Sequence, residues 1–233
     1  LETEAWRAMV EGIYRSGRGQ WEIANRLLAD AMQMSLQTGS QRIYLDACEY
    51  RMYALYLQSR YAEARALVEE AAPITVRDEL VQTLGRFRIA RARILLHQGD
   101  LAEARAEYYD HEAEIAAALS LGAQTPYRIT ALAFLVELHA RIGAWEEARA
   151  AAAALDQVVN GAQTLSMVLA GAAAASIPVY LTLWERQHAP DMDRLVRSRL
   201  ALYQRKSPRP HDIGAAVEGV YRCWYHWLRG DEP

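Results

Sequence analysis

One phrase is written four times in this chain. It reads GQWEIANRLLADA at 19–31, SRYAEARALVEEA at 59–71, GDLAEARAEYYDH at 99–111 and GAWEEARAAAAAL at 143–155. Its large apolar residue falls at Trp21, Tyr61, Leu101 and Trp145, at spacings of 40, 40 and 44 residues. A period in this range marks an array of like units, each unable to bury its apolar face alone. Gly19, Gly99 and Gly143, with Ser59 once in their place, stand where a preceding helix must stop. Glycine accepts the left-handed conformation of a helix end at little cost. Three positions after each large residue comes Ala24, Ala64, Ala104 or Ala148, small enough to let another helix approach. Leu27, Leu28, Leu67, Val68, Tyr108 and Leu155 follow at helical rather than alternating spacing.

The partner helix precedes each phrase: AWRAMVEGIY, YLDACEYRMYALYLQ, LGRFRIARARILLHQ and ITALAFLVELHARI. The pattern predicts eleven helices, at 3–16, 20–38, 41–58, 60–72, 78–98, 100–121, 125–142, 144–159, 162–186, 189–206 and 211–229. Pro73 is expected to close the fourth, Thr125-Pro126 to open the seventh, and SPRP at 207–210 to break before the last. The expected fold is all-α: a right-handed α-solenoid of antiparallel helix pairs, about five pairs plus a terminal helix. It forms one domain over 1–233, with clear repeats over 5–160 and a continuation over 161–229. The chain opens on Leu1 and is expected to be a fragment of a longer protein.

Composition narrows the field. Apolar residues make up 52%, which excludes a disordered chain. A net charge of −3 gives no global pull toward nucleic acid or anionic lipid. The basic residues are 25 arginines and one lysine, Lys206, which together with abundant alanine matches a GC-rich bacterial genome. Two distant cysteines, Cys48 and Cys223, make no framework and read as buried small hydrophobes in a reducing, cytoplasmic compartment. No charged residue occurs from Gln157 to Trp184, but the centre is alanine and glycine, so a helix buried in the array is expected there rather than a membrane span.

A helix, then Gly-x-aromatic-x-x-Ala, then a second helix resembles the tetratricopeptide repeat. Trp6, Gly19, Trp21 and Ala24 carry the resemblance in the first unit, and GDLAEARAEYY and GAWEEARA carry it in later second helices. The period departs from the family's, which is about 34 residues. Met52 and Val136 stand where the family places a small residue in the first helix. The long helices resemble regions that follow ATPase modules in large bacterial regulators, among them transcription activators of the maltose-regulator type, fused nucleotide cyclases and fused Ser/Thr kinases. The resemblance implies a region that binds proteins or senses effectors.

Chemical signatures are missing. There is no phosphate-cradling GxGxxG or GxxxxGK[ST], no GxSxG elbow, and HEAEI at 111–115 is not HExxH. Asp191 and Asp193 suit the first turn of a helix, and Arg229-Gly230-Asp231 reads as a helix end. No catalytic, cofactor-binding or metal-binding residue is assigned, and no cofactor is expected. Arg86 and Arg93 share a helix face while Arg88 and Arg91 point roughly opposite, so the four make no continuous basic stripe for nucleic acid.

Phasing the first helices against the turns puts Arg7, Glu11 and Tyr14, then Glu49, Tyr53 and Tyr56, then Arg86 and Arg93, then Glu137 on an inner groove. Arginine recognises carboxylates bidentately and tyrosine offers a flat body with a polar tip, which suits a peptide or small polar effector. The competing expectation is that these charges pair across neighbouring helices. In YRCWYHWLRG, apolar residues surround the terminal helix, so Trp224 and Trp227 are expected to leave a patch for a partner subunit or a neighbouring domain. The expected function is a non-catalytic scaffold binding a peptide, partner protein or small effector for the other domains of a longer regulator. It makes no direct contact with nucleic acid or membrane, and a homo-oligomer through the last helix is open to it. The alternative is a helical subunit or domain of an enzyme whose chemistry lies elsewhere in the chain.

Overall fold

The four copies of the phrase build the same turn. A computed structural model of the chain describes all residues except 79, 121–124, 163–166, 188–189, 207–211 and 231–233. Gly19, Gly99 and Gly143 take φ of 68°, 95° and 78°, and Ser59 takes 60°. Ser59 is the one non-glycine with positive φ among the described residues. The next residue, Gln20, Arg60, Asp100 or Ala144, has φ between −85° and −80° in every copy. Its N–H donates to the carbonyl five residues back: Arg15 at 3.0 Å, Leu55 at 3.0 Å, Leu95 at 3.0 Å and His139 at 2.9 Å. This back-bond ties off a carbonyl that the end of the helix would leave without a donor. Ala24, Ala64, Ala104 and Ala148 are wholly buried four residues later. Gly12, Met52, Ala92 and Val136, at the same spacing in the preceding helices, are buried too.

Among the described residues the chain is helical throughout, with no strand. The helices are α1 (Glu2–Gly17), α2 (Trp21–Thr38), α3 (Gln41–Leu57), α4 (Tyr61–Arg77), α5 (Val81–Gln98), α6 (Leu101–Tyr109), α7 (Glu112–Ser120), α8 (Thr125–Arg141), α9 (Trp145–Gly161), α10 (Met167–Ala173), α11 (Ser176–Gln187), α12 (Pro190–Lys206) and α13 (Asp212–Arg229). They group into two compact units, Leu1–Ala123 and Gln124–Pro233. In the first, each helix from α1 to α6 packs on its sequence neighbour, α7 packs on α5, and α3 also touches α1 and α5. In the second, α8 pairs with α9, α10 lies on α8, α11 lies on α9 and α12, and α13 packs on α10, α11 and α12. Its core runs from Ile129 and Val136 through Leu155, Tyr180 and Leu181 to Tyr203 and Tyr225. No helix among the described residues is long and apolar enough to cross a membrane.

Three boundaries differ from the sequence expectation. Pro73 does not close α4, which runs on to Arg77. Proline cannot supply the N–H that the Glu69 carbonyl would accept. The extra turn is held by Thr75, which is wholly buried and donates to the Ala72 carbonyl at 2.7 Å. The helix expected over 100–121 breaks after Tyr109, where His111 Nδ1 lies 3.0 Å from the Glu107 carbonyl that its own N–H would use in a continuous helix. The helix expected over 162–186 breaks at Ala174 and Ala175. Pro178 has no N–H for the Ala174 carbonyl, so the chain restarts at Ser176 and places proline in a first turn, where that donor is not needed. The SPRP segment lies outside the described residues.

Candidate ligand cleft

The four arginines of α5 divide between two faces, as their spacing requires. Arg86 turns to α3, where it meets Glu49 at 2.9 Å and Asp46 at 3.9 Å, and it also donates to Thr83 of its own helix at 3.0 Å. Arg93 is buried on the same side, its guanidinium 5.2 Å from the Tyr56 ring centre. Tyr56 in turn packs edge-on against His97 and Tyr61. Burial pushes the Glu49 carboxyl up to about 7; Arg86 pulls against the rise and Asp46 adds to it. Arg88 and Arg91 turn to α6 and α7. Arg88 Nη1 donates to Glu107 Oε1 at 3.1 Å and its Nε to Glu114 Oε2 at 3.2 Å, while Arg91 Nη1 donates to Glu107 Oε2. Glu107 is almost wholly buried between the two guanidiniums.

Arg88 and Arg91 form one edge of a cleft of about 610 Å³. Leu84, Phe87, Arg88 and Arg91 follow i, i+3, i+4, i+7 and so share one side of α5. Val68, Ala72, Pro73 and Val76 of α4 form the opposite wall, with Glu69 and Arg77 at its margin and Glu107 from α6 at the end. Ion pairs outside the lining occupy the marginal charges: Glu69 accepts from Arg65 at 2.8 Å, and Arg77 donates to Asp78 at 2.9 Å. The lining is chiefly apolar with a few converging polar groups, and its volume lies within the range of small-molecule sites.

The groove residues expected from sequence occupy several environments. Arg7, Glu11 and Tyr14 lie on the exposed side of α1 beside Trp6 and Val10, and Glu11 pairs with Arg15 at 3.0 Å. Tyr53, Glu49 and Arg93 are buried at 7%, 9% and 5% exposure, and Tyr56 and Arg86 are half-buried. Glu49, Tyr56, Arg86 and Arg93 are brought together between α3 and α5 by ion pairing and ring contact. Glu137 belongs to the second unit. Its carboxylate, after burial, helps raise the Tyr221 hydroxyl. Trp224 is half-buried against the second core, while Trp227 is 67% exposed. Cys48 is buried, its thiol pushed up to about 12 chiefly by burial, but Cys223 is exposed, contrary to expectation, because it lies on the outer side of α13.

Sequence reasoning passed over a second polar cluster. Asp156 of α9 is buried and accepts from Ser176 and Tyr180 of α11, each at 2.8 Å, with Arg199 of α12 at 3.3 Å. Burial raises its carboxyl, and Tyr180, Arg199 and Ser176 oppose the rise. The only signal was that Asp156 is the last charge before the uncharged run. No family model matches this sequence, and no curated protein shows a significant match to it.

Proposed function

We propose that this chain is a non-catalytic binding scaffold. Within each unit the helices would pair antiparallel and wind right-handedly in the tetratricopeptide-like manner, as part of a larger cytoplasmic bacterial regulator in which a bound effector or peptide signals to other domains. The observation that carries this reading is the cleft between α4, α5 and α6, an apolar trough edged by guanidiniums already fixed in position by Glu107. The fourfold turn supports the tetratricopeptide-like part, since one backbone geometry recurs at every copy of the phrase. Neither nucleic acid nor membrane is the proposed target.

A thermal-shift screen of peptides and small effectors, run on the wild type and on Val76→Glu, tests the site. Val76 is 58% exposed and lines the cleft, so glutamate there should leave the fold intact and obstruct the trough. Compounds that raise the wild-type Tm should fail to raise that of the variant. Equal shifts in both proteins would place binding elsewhere.

One further face supports self-association. Ala216, Val220, Cys223 and Trp227 make an exposed stripe along α13. Ala216, the smallest of the four, occupies one end and tryptophan the other. A second copy lying antiparallel would therefore seat Trp227 over Ala216 and set opposed helix dipoles side by side. Sedimentation equilibrium should show a concentration-dependent dimer that Trp227→Ala weakens about tenfold; a monomer at all concentrations would remove this interface.

A further inference from the structure

We propose that the cleft takes an amphipathic organic carboxylate, its apolar body against Pro73, Val76, Leu84 and Phe87 and its carboxylate on Arg91 and Arg88. The proposal rests on reading the cleft as the binding site and adds the chemistry of its occupant. Among the described residues, Glu107 uses one nitrogen of Arg91, and Glu107 and Glu114 use two of Arg88. Nε and Nη2 of Arg91 and Nη2 of Arg88 are thus left without a protein acceptor there. The carboxylates are better supplied: both oxygens of Glu107 are engaged, and Glu69 accepts from Arg65. The site has a surplus of donors, which selects an anion over a cation.

Glu107 serves this purpose in two ways. It fixes two long side chains in advance, so less conformational entropy is lost when a ligand is bound. It also cancels one of the two positive charges, while Glu114, 39% exposed on the solvent side, is screened and cancels less of the other. That balance suits a monoanion better than a phosphate dianion, whose extra charge would lie beside buried Glu107. A carboxylate can take two parallel N–H bonds from the planar fork of Arg91, a geometry that lysine cannot provide.

The test is calorimetric titration of the full chain with 4-phenylbutyrate and with 4-phenylbutanamide, which has the same shape without the charge. The acid should bind at least tenfold tighter than the amide. Arg91→Gln should abolish that preference while leaving the amide's affinity unchanged, which also reports that the variant is folded. Arg91→Lys should recover only part of it, and Val76→Glu should weaken both probes. Equal binding of acid and amide to the wild type, with both lost in Val76→Glu, would overturn the carboxylate proposal and leave the cleft reading standing. Acid binding untouched by Val76→Glu would overturn both. Binding of neither probe would overturn the carboxylate proposal, leaving the peptide arm of the thermal-shift screen to decide on the cleft.

Discussion

Two residues carry opposite lessons about local cost. Ser59 sits at φ 60° where the other three copies of the phrase have glycine. A left-handed conformation costs a β-carbon-bearing residue roughly 1–2 kcal/mol, part of which glycine gives back by loosening the unfolded chain. Ser59→Gly should therefore stabilise by about 0.5–1 kcal/mol in urea unfolding; a loss of stability would mean that the serine hydroxyl contributes something the turn geometry does not explain. Glu49 carries a cost that depends on pH. Its carboxyl titrates near 7 in the folded protein against an ordinary 4.5, so the folded state holds a proton that the unfolded chain releases. The resulting stability is fully present below about 4.5 and is lost as pH rises through 7. Glu49→Gln should flatten the fall in stability between pH 5 and pH 8 by about 2–3 kcal/mol. Asp46 and Asp156, raised in the same direction, would leave a residual slope. An unchanged slope would contradict the assignment.

At the scale of elements, the contact of α1 with α2 depends on Gly12. A β-carbon there would meet Leu28 Cγ at 2.8 Å, and Leu28 is wholly buried. Alanine gains about 1 kcal/mol of helix propensity, but overpacking a branch point costs about 1–3 kcal/mol. Gly12→Ala should thus lower stability by about 1 kcal/mol, measured by chemical denaturation; stabilisation would show that α1 can shift outward freely. The repeat itself was legible because its determinants are local. Glycine ends a helix by its own conformation, and Ala24, Ala64, Ala104 and Ala148 are buried in each copy as their fixed place implies. The cleft was much less legible. Its α4 wall exists because the helix runs through Pro73, and the burial of Thr75 that supports this run is a tertiary fact. The division of the α5 arginines into two faces could be read from angular spacing. That Arg88 and Arg91 close on one buried glutamate could not, since it depends on how α6 meets α5. The same holds for Glu49, Tyr53 and Arg93: their shared faces follow from spacing, but their depth is set by the neighbouring helices.

At the scale of the whole molecule, each unit buries a core of its own, and the first also retains an open trough between consecutive helices. Its polar edge is held by ion pairs that are partly buried and therefore less screened by salt than those on the surface of α1. A scaffold of this kind acts by what it holds, so the decisive observation is where a bound molecule protects the chain. Amide hydrogen exchange on the full chain, with and without the compounds that raise its Tm, measures this directly. Protection is expected over 68–77 and 84–91, with no change on the exposed side of α1 or along α13. Protection that spares 68–77 and 84–91 and appears elsewhere would contradict the cleft as the binding site.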